Sequence, residues 1–292
     1  MKKIGFVGVG TMGAPMARNL LKGGFDVRVF DVEPAALARI ASEGVTGAGS
    51  PAGAARDAEC VITMLPNGEH VEAALLGPDG IAGAMRPGDL YVDMSTIAPA
   101  TTDRLARLMA GRGIEMIDAP VGRQVQHAIL GKLLIMAGGS EAAVGRAMPV
   151  FEKLGDTIVH CGPAGSGSRM KIVNNFMSIT LNATTAEALT LAEASGLDVE
   201  LARKVMLGTV AGQGHMGTTY PAKVLKGDLG PGFMIDLAHK DLGLALDLAA
   251  DLGVAVATGQ AAREAYARAR AQGRGRQDWT AIYAMARTAP RG

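Results

Sequence analysis

A glycine-rich motif near the start of the sequence constrains the fold of this chain most strongly. Residues 4–7 are apolar and predict a strand, residues 8–13 read G-V-G-T-M-G, and a helical pattern follows. A strand, a G-x-G-x-x-G loop and a helix in this order form the dinucleotide-binding unit of a Rossmann fold. The glycines allow a tight turn, close approach of a pyrophosphate, and close packing of the helix on the strand. The predicted cofactor-binding residues of this loop are Gly8, Gly10, Thr11, Met12 and Gly13.

An acidic residue ends the next predicted strand. Residues 27–30 predict that strand, and Asp31 follows it, 18 positions after Gly13. A carboxylate at this point accepts hydrogen bonds from a ribose diol and repels a 2′-phosphate. The sequence therefore predicts NAD(H) as the cofactor in preference to NADP(H). The alternative is a glycine-rich turn followed by an unrelated helix-capping aspartate.

Further apolar runs alternate with helical patterns as far as residue 161. These runs are residues 60–65, 90–93, 115–118, 132–137 and 157–161. Such alternation predicts a mostly parallel, doubly wound α/β sheet, whose ligands contact the carboxyl ends of the strands. We therefore expect cofactor contacts from Leu65, Pro66, Asn67 and Thr96. Except for Leu65, these residues also suit the capping or breaking of an element, which is the alternative.

The densest cluster of structure-breaking residues marks a domain boundary. Residues 162–167 read G-P-A-G-S-G, and only helical patterns follow them. The sequence predicts a Rossmann-like NAD-binding domain over residues 1–163 and an all-α substrate and dimerisation domain over residues 164–292. A long helix from about residue 168 to residue 195 joins the two.

One line of polar residues crosses the otherwise apolar start of this long helix. Lys171, Asn174, Asn175 and Ser178 occupy positions i, i+3, i+4 and i+7, which share one helical face. A solvated stripe is the alternative, but such stripes usually carry several charges. An amine, two amides and a hydroxyl in a line indicate instead the wall of a reaction site.

Composition excludes several classes of function. The chain has 29 Lys and Arg residues and 28 Asp and Glu residues, which gives a formal net charge of +1. A net charge this small does not attract nucleic acid or an anionic membrane. Cys60 and Cys161 lie in separate strand-like runs, which favours free thiols in a reducing cytoplasm over a disulfide framework. No membrane-spanning stretch and no Cys/His spacing typical of a metal site is present, so we expect a cytoplasmic protein without a metal.

The chain resembles the β-hydroxyacid dehydrogenase family, which includes the 3-hydroxyisobutyrate dehydrogenases. The resemblance covers essentially the whole sequence. Its motifs are residues 6–17, 118–121, 131–139, 171–175 and 240–242.

The resemblance implies roles for individual residues. Lys171 matches the catalytic acid or base of the family, and Asn175 matches the asparagine that supports it. Thr96 matches a position near the nicotinamide and the substrate. Lys240 matches a lysine that closes over the nicotinamide, although the sequence pattern alone favours a surface lysine there. The family also implies a homodimer or homotetramer built on the second half of the chain.

The sequence departs from the common family pattern beside the predicted substrate pocket. Where most members have Ser-Gly-Gly after Asp-x-Pro-Val, this chain has Gly122, Arg123 and Gln124. A guanidinium offers a rigid fork of donors and a permanent charge to an oxyanion. The alternative for Arg123 is a surface salt bridge.

Over its full length, the sequence resembles a branch of the family that reduces a sulfonated aldehyde, 3-sulfolactaldehyde. The motifs of this resemblance are the Gly122-Arg123 pair, Asn174 and Ser178, residues 212–215 and residues 273–279. This resemblance implies that Gly122, Arg123, Asn174 and Ser178 bind the substrate. Gln124 and Val125 replace the small Thr-Ser pair expected there.

Two rival functions remain. The first is reduction of a carboxylate semialdehyde, the partner of a 3- or 4-hydroxyacid, because arginine also binds carboxylates. The second is a non-catalytic NAD-binding module that serves assembly. The intact Lys171 and Asn175 argue against the module.

Overall fold

The computed structural model describes residues 1–41, 44–194, 196–209, 212, 214–253 and 255–288. The chain forms two compact units, residues 1–171 and 172–292. The division falls inside the long helix, whereas the sequence places the boundary before it. The first residues of this helix thus pack with the nucleotide-binding unit.

A single sheet organises the first unit. Its strands are β1 (Lys3–Val7), β2 (Asp26–Phe30), β3 (Thr46–Gly47), β4 (Cys60–Thr63), β5 (Leu90–Asp93), β6 (Glu115–Asp118), β7 (Val121–Gly122), β8 (Leu133–Gly138) and β9 (Gly155–Gly162). Their order is β3-β2-β1-β4-β5-β6-β8-β7, with β9 on the free side of β8. Strands β1 to β6 are parallel, which confirms the predicted doubly wound sheet.

Helices cover both faces of this sheet. They are α1 (Gly13–Lys22), α2 (Pro34–Ala41), α3 (Pro51–Ala55), α4 (Gly68–Leu76), α5 (Ile81–Ala84), α6 (Pro99–Ala110), α7 (Val125–Ile129) and α8 (Glu141–Leu154). Successive strand residues enter two different cores: Ile62 and Val92 belong to one, Val61 and Tyr91 to the other. Burial on both faces explains why the central strands are continuous apolar runs.

The sheet reverses direction after β6. Strand β8 is antiparallel to β6 and β7, with Asp118 opposite Gly138 and Gly122 opposite Leu134. The sequence did not predict β7, which is only two residues long. Because β7 follows β6 along the same side of β8, Gly122 and Arg123 lie beyond the carboxyl ends of the parallel strands.

The described residues of the second unit are helical, as predicted. The helices are α9 (Ser166–Ala194), which begins in the first unit, α10 (Val199–Leu207), α11 (Thr219–Ala222), α12 (Ile235–Asp251), α13 (Ala257–Ala271) and α14 (Ala281–Thr288). Buried polar contacts fix their packing: Asn182 Nδ2 donates to Tyr266 Oη at 2.6 Å and to the Trp279 carbonyl at 3.2 Å. Within the described chain, no helix is long and apolar enough to cross a membrane.

The segment of residues 273–279, whose role the sequence leaves open, fastens the loop before α12. Asp278 is fully buried, and its Oδ2 accepts the backbone N–H groups of Gly232 at 2.9 Å and Phe233 at 3.2 Å. Its Oδ1 accepts the Thr280 hydroxyl at 2.6 Å. A buried carboxylate with several donors holds the surrounding loops in one geometry.

Candidate active site

The glycine loop after β1 has the geometry that a pyrophosphate needs. Gly8 has a φ of +96°, and a β-carbon there would lie 2.3 Å from the Met64 carbonyl oxygen. A β-carbon on Gly13 would lie 1.8 Å from the Gly8 carbonyl oxygen. One on Gly10 would meet no described atom within 4 Å. Gly8 and Gly13 therefore serve close packing, whereas Gly10 leaves open space beside the N-terminus of α1.

Asp31 is held beside this loop. The backbone N–H of Val9 donates to its Oδ2 at 2.8 Å, and the backbone N–H of Glu33 donates to its Oδ1 at 2.9 Å. Each carboxylate oxygen keeps a further lone pair for a ribose hydroxyl. Gly10, Thr11 and Asp31 thus fit a dinucleotide, with Gly10 and Thr11 exposed at the turn.

A buried polar network joins two of the predicted cofactor loops. Thr63 and Asp93 are register partners on β4 and β5, and the Thr63 hydroxyl donates to Asp93 Oδ1 at 2.8 Å. The backbone N–H of Ser95 donates to the same oxygen at 3.1 Å, and the Leu65 N–H donates to Ser95 Oγ at 2.9 Å. Burial raises the pKa of Asp93 to about 6. The loops that carry Leu65 and Thr96 are therefore fixed to each other.

Asn67 follows Leu65 and Pro66 and caps α4. Its Oδ1 accepts the backbone N–H of His70 at 3.1 Å and lies 2.6 Å from the ring Nδ1 of the same histidine. The structure thus gives Asn67 the capping role that the sequence left as an alternative. Cofactor contacts of Pro66, Asn67 and the half-buried Thr96 stay predictions.

The N-terminus of α9 is bound to the carboxyl end of β6. The backbone N–H groups of Gly165 and Ser168 donate to the two oxygens of Asp118, each at 2.6 Å. Burial raises the pKa of Asp118 to about 6, and these two N–H donors oppose the rise. Lys171 lies one turn further along α9 and is half-buried. Sequence reasoning missed this role of Asp118, because the helix start that it binds lies 47 residues further along the chain.

Close packing and side-chain contacts support the same turn of α9. A β-carbon on Gly167 would lie 2.2 Å from the Met136 carbonyl oxygen, so only glycine fits there. The Ser168 hydroxyl lies 3.0 Å from the Thr102 hydroxyl. Arg169 donates to both carboxylate oxygens of Asp103, at 2.9 and 2.7 Å. The position of the Lys171 backbone is therefore set by the nucleotide-binding unit.

The side chain of Arg123 is occupied by protein groups. Its Nη1 donates to the Lys132 carbonyl and to Asp156 Oδ1, both at 2.5 Å, and its Nη2 donates to Thr157 Oγ1 at 3.0 Å. The hydrogen bond from Arg123 lowers the pKa of Asp156. The structure thus contains the surface ion pair that the sequence left as the alternative. Binding of a substrate by Arg123 stays a prediction, and on the edge formed by Nη1 and Nη2 it requires part of this arrangement to open.

In the second unit, a buried carboxylate connects three predicted site residues. Asn175 Nδ2 donates to Asp241 Oδ2 at 2.6 Å, and Lys240 Nζ lies 3.0 Å from Asp241 Oδ1. Asn174 Nδ2 donates to Asn175 Oδ1 at 3.3 Å. Lys240 is thus half-buried and ion-paired, and its contact with the cofactor stays a prediction. Sequence reasoning did not single out Asp241, because the Asn175 amide that it binds lies 66 positions away.

Ser178 lies on a part of α9 that a histidine supports. His215 Nε2 lies 2.6 Å from the Ser178 carbonyl oxygen, and its Nδ1 lies 3.1 Å from Thr219 Oγ1. We infer that Nε2 carries the proton, because the carbonyl oxygen only accepts. Burial lowers the pKa of His215, which favours this neutral ring.

Comparisons with known proteins match both units. A model of the NAD-binding domain of 6-phosphogluconate dehydrogenase matches residues 3–162. A model of the NAD-binding domain of NADP-dependent 3-hydroxyisobutyrate dehydrogenase matches residues 165–286.

Individual relatives cover nearly the whole chain. The 3-sulfolactaldehyde reductase of Escherichia coli is 51% identical over 98% of this chain and 96% of its own length. A 3-hydroxyisobutyrate dehydrogenase of Pseudomonas aeruginosa is 40% identical over 91% of each chain. The solved structure of Mycobacterium tuberculosis 3-hydroxyisobutyrate dehydrogenase with L-serine superimposes with a TM-score of 0.90, at 36% identity, over 99% of this chain and 100% of that chain.

Proposed function

Because this chain belongs to the β-hydroxyacid dehydrogenase family, we propose that it uses NADH to reduce 3-sulfolactaldehyde to 2,3-dihydroxypropane-1-sulfonate, with Lys171 as the general acid. Its relatives include a 3-sulfolactaldehyde reductase and 3-hydroxyisobutyrate dehydrogenases. The observation that carries the substrate proposal is Arg123, beyond the carboxyl ends of the parallel strands, in a chain 51% identical to a 3-sulfolactaldehyde reductase. Asn174 and Ser178 support it as further donors to a sulfonate.

The chemical step needs an acid and an oriented aldehyde. When bound, the nicotinamide supplies the hydride to the aldehyde carbon. The Lys171 ammonium stabilises the negative charge that develops on the aldehyde oxygen and donates a proton from Nζ. Arg123, Asn174 and Ser178 hold the sulfonate, which fixes the orientation of the aldehyde and makes the reaction effectively intramolecular. Lys240 lies over the cofactor in this proposal.

The amide of Asn175 has a fixed orientation that suits a supporting role. One N–H of its Nδ2 donates to the buried Asp241, and its Oδ1 accepts from Asn174 and keeps a second lone pair. An amide oxygen accepts hydrogen bonds and does not donate them. Asn175 therefore supports a donor such as the ammonium of Lys171 on the same helical face. Donation of the second N–H of Nδ2 to the aldehyde oxygen is the alternative role.

Replacement of Lys171 by alanine should separate chemistry from cofactor binding. We expect kcat to fall by about 10²–10⁴, because a positioned acid is lost, while the Kd of NADH changes little. Steady-state kinetics and fluorescence titration with NADH measure the two quantities. Lys204→Ala, at an exposed site on α10, is the control and should behave like the unchanged protein. Near-normal turnover of Lys171→Ala would remove the lysine from the mechanism.

A panel of aldehydes tests the substrate and cofactor proposals together. We expect the highest kcat/KM for 3-sulfolactaldehyde with NADH. Arg123 favours the sulfonated substrate, and Asp31 disfavours NADPH because it repels a 2′-phosphate. The panel includes 3-sulfolactaldehyde and the semialdehydes of methylmalonate, tartronate and succinate, each with NADH and with NADPH. A higher kcat/KM for one of the carboxylates would establish the alternative substrate class. Equal kcat/KM values for NADH and NADPH would refute the role given to Asp31.

We also propose that a second copy of the chain covers exposed apolar residues of α9 and α10. Four apolar side chains of these helices are each more than half exposed, namely Val173, Met177, Leu201 and Val205. Such side chains at helical spacing are typical of association surfaces.

Sedimentation equilibrium should show a dimer or a tetramer, and the double variant Met177→Glu, Val205→Glu should weaken this association. Leu108→Glu, at an exposed apolar site on α6, is the control. A monomer at assay concentrations would contradict the proposal.

A further inference from the structure

The pair formed by Arg123 and Asp156 lies where a substrate is expected. Strand β7 extends past the carboxyl end of β6, and Arg123 follows it directly with a φ of +74°. Strands β8 and β9 are parallel neighbours, and Asp156 stands at the start of β9. Both side chains therefore lie beyond the carboxyl ends of β1 to β6, where an open α/β sheet binds its ligands.

The protein already occupies the outer edge of the guanidinium. Three of the four N–H groups on Nη1 and Nη2 donate, to the Lys132 carbonyl, to Asp156 and to Thr157. The Thr157 hydroxyl also donates to Asp156 Oδ1, at 2.9 Å, which holds this carboxylate in place. A bidentate oxyanion needs two parallel N–H groups of such a fork. It must therefore displace at least one of these contacts to use this edge.

A substrate anion can replace the Asp156 carboxylate, because the ion pair with Arg123 is partly exposed to water. The side chains of Arg123 and Asp156 are 33% and 46% exposed. Water stabilises the separated charges of an exposed pair, so such pairs exchange easily. A sulfonate is also an oxyanion, with three oxygens, and can take the place of the carboxylate without leaving the guanidinium unpaired.

We infer that Asp156 competes with the acid group of the substrate for Arg123 and thereby sets the affinity for anionic substrates and products. This inference rests on the proposed function. When Arg123 is available in only a fraction of the molecules, the apparent affinity for the anion is its full value multiplied by that fraction. The competition weakens the binding of the substrate and product anions by the same factor. It also re-pairs Arg123 as the product leaves.

Asp156→Asn tests the inference, because it removes the charge and keeps the size. We expect the KM for 3-sulfolactaldehyde to fall roughly two- to fivefold, the range typical of exposed ion pairs, with kcat and the KM for NADH unchanged. Calorimetric titration of the product sulfonate in the presence of NADH should show the same gain in affinity. Glu115→Gln is the matched control: it removes another exposed carboxylate, 2.6 Å from Arg146, at the opposite end of β6. It should leave every constant unchanged.

The same substitution in an Arg123→Gln background completes the test. Arg123→Gln alone should raise the KM for 3-sulfolactaldehyde by roughly two powers of ten, and adding Asp156→Asn should then change nothing. No effect of Arg123→Gln would refute the substrate role of Arg123. A large effect of Arg123→Gln, combined with an unchanged or raised KM in Asp156→Asn, would overturn the competition alone. If Asp156→Asn lowered the KM equally with Arg123 present and with Arg123→Gln, the competition would also be refuted. The fall would then be a general effect of the lost negative charge.

Discussion

The carboxylate of Asp118 is the contact on which the candidate site depends. It ends β6, and it accepts two backbone N–H groups at the start of a helix of 29 residues, those of Gly165 and Ser168. A negative charge at a helix N-terminus is favourable, and two charge-assisted hydrogen bonds fix the helix start within a narrow range. The sheet that forms the nucleotide loop thus also fixes the backbone of Lys171. Asp118 thereby helps to hold the proposed acid and the cofactor loop in one unit.

Two other buried carboxylates have comparable roles. Asp93 fixes the loops after β4 and β5 through Thr63 and Ser95. In the helical unit, Asp241 orients the amide of Asn175 and pairs with Lys240. Burial of a charge is costly unless donors surround it, so each of these sites specifies one arrangement of its neighbours.

The sequence predicts the elements well and the polar contacts poorly. The glycine loop, the alternating apolar runs and the polar line of α9 are local patterns, and local patterns predict a Rossmann unit followed by helices. The roles of Asp118 and Asp241 depend on residues 47 and 66 positions away, so no local pattern reveals them. Arg123 shows the same limit. Its residue type predicts anion binding, but the choice of Asp156 as its partner follows from β9, which the chain reaches 33 residues later.

Hydrogen exchange and kinetics on Asp118→Asn test whether Asp118 positions the proposed catalytic lysine. An asparagine offers one acceptor oxygen where the carboxylate offers two, so one N–H at the start of α9 loses its partner. We expect faster exchange confined to residues 165–171, a fall in kcat of about tenfold or more, and a Kd for NADH within about twofold of normal. Asp103→Asn weakens only the partly exposed ion pair with Arg169 and should change little. Unchanged exchange, or normal kcat despite faster exchange, would contradict the claim that Asp118 positions the proposed catalytic lysine.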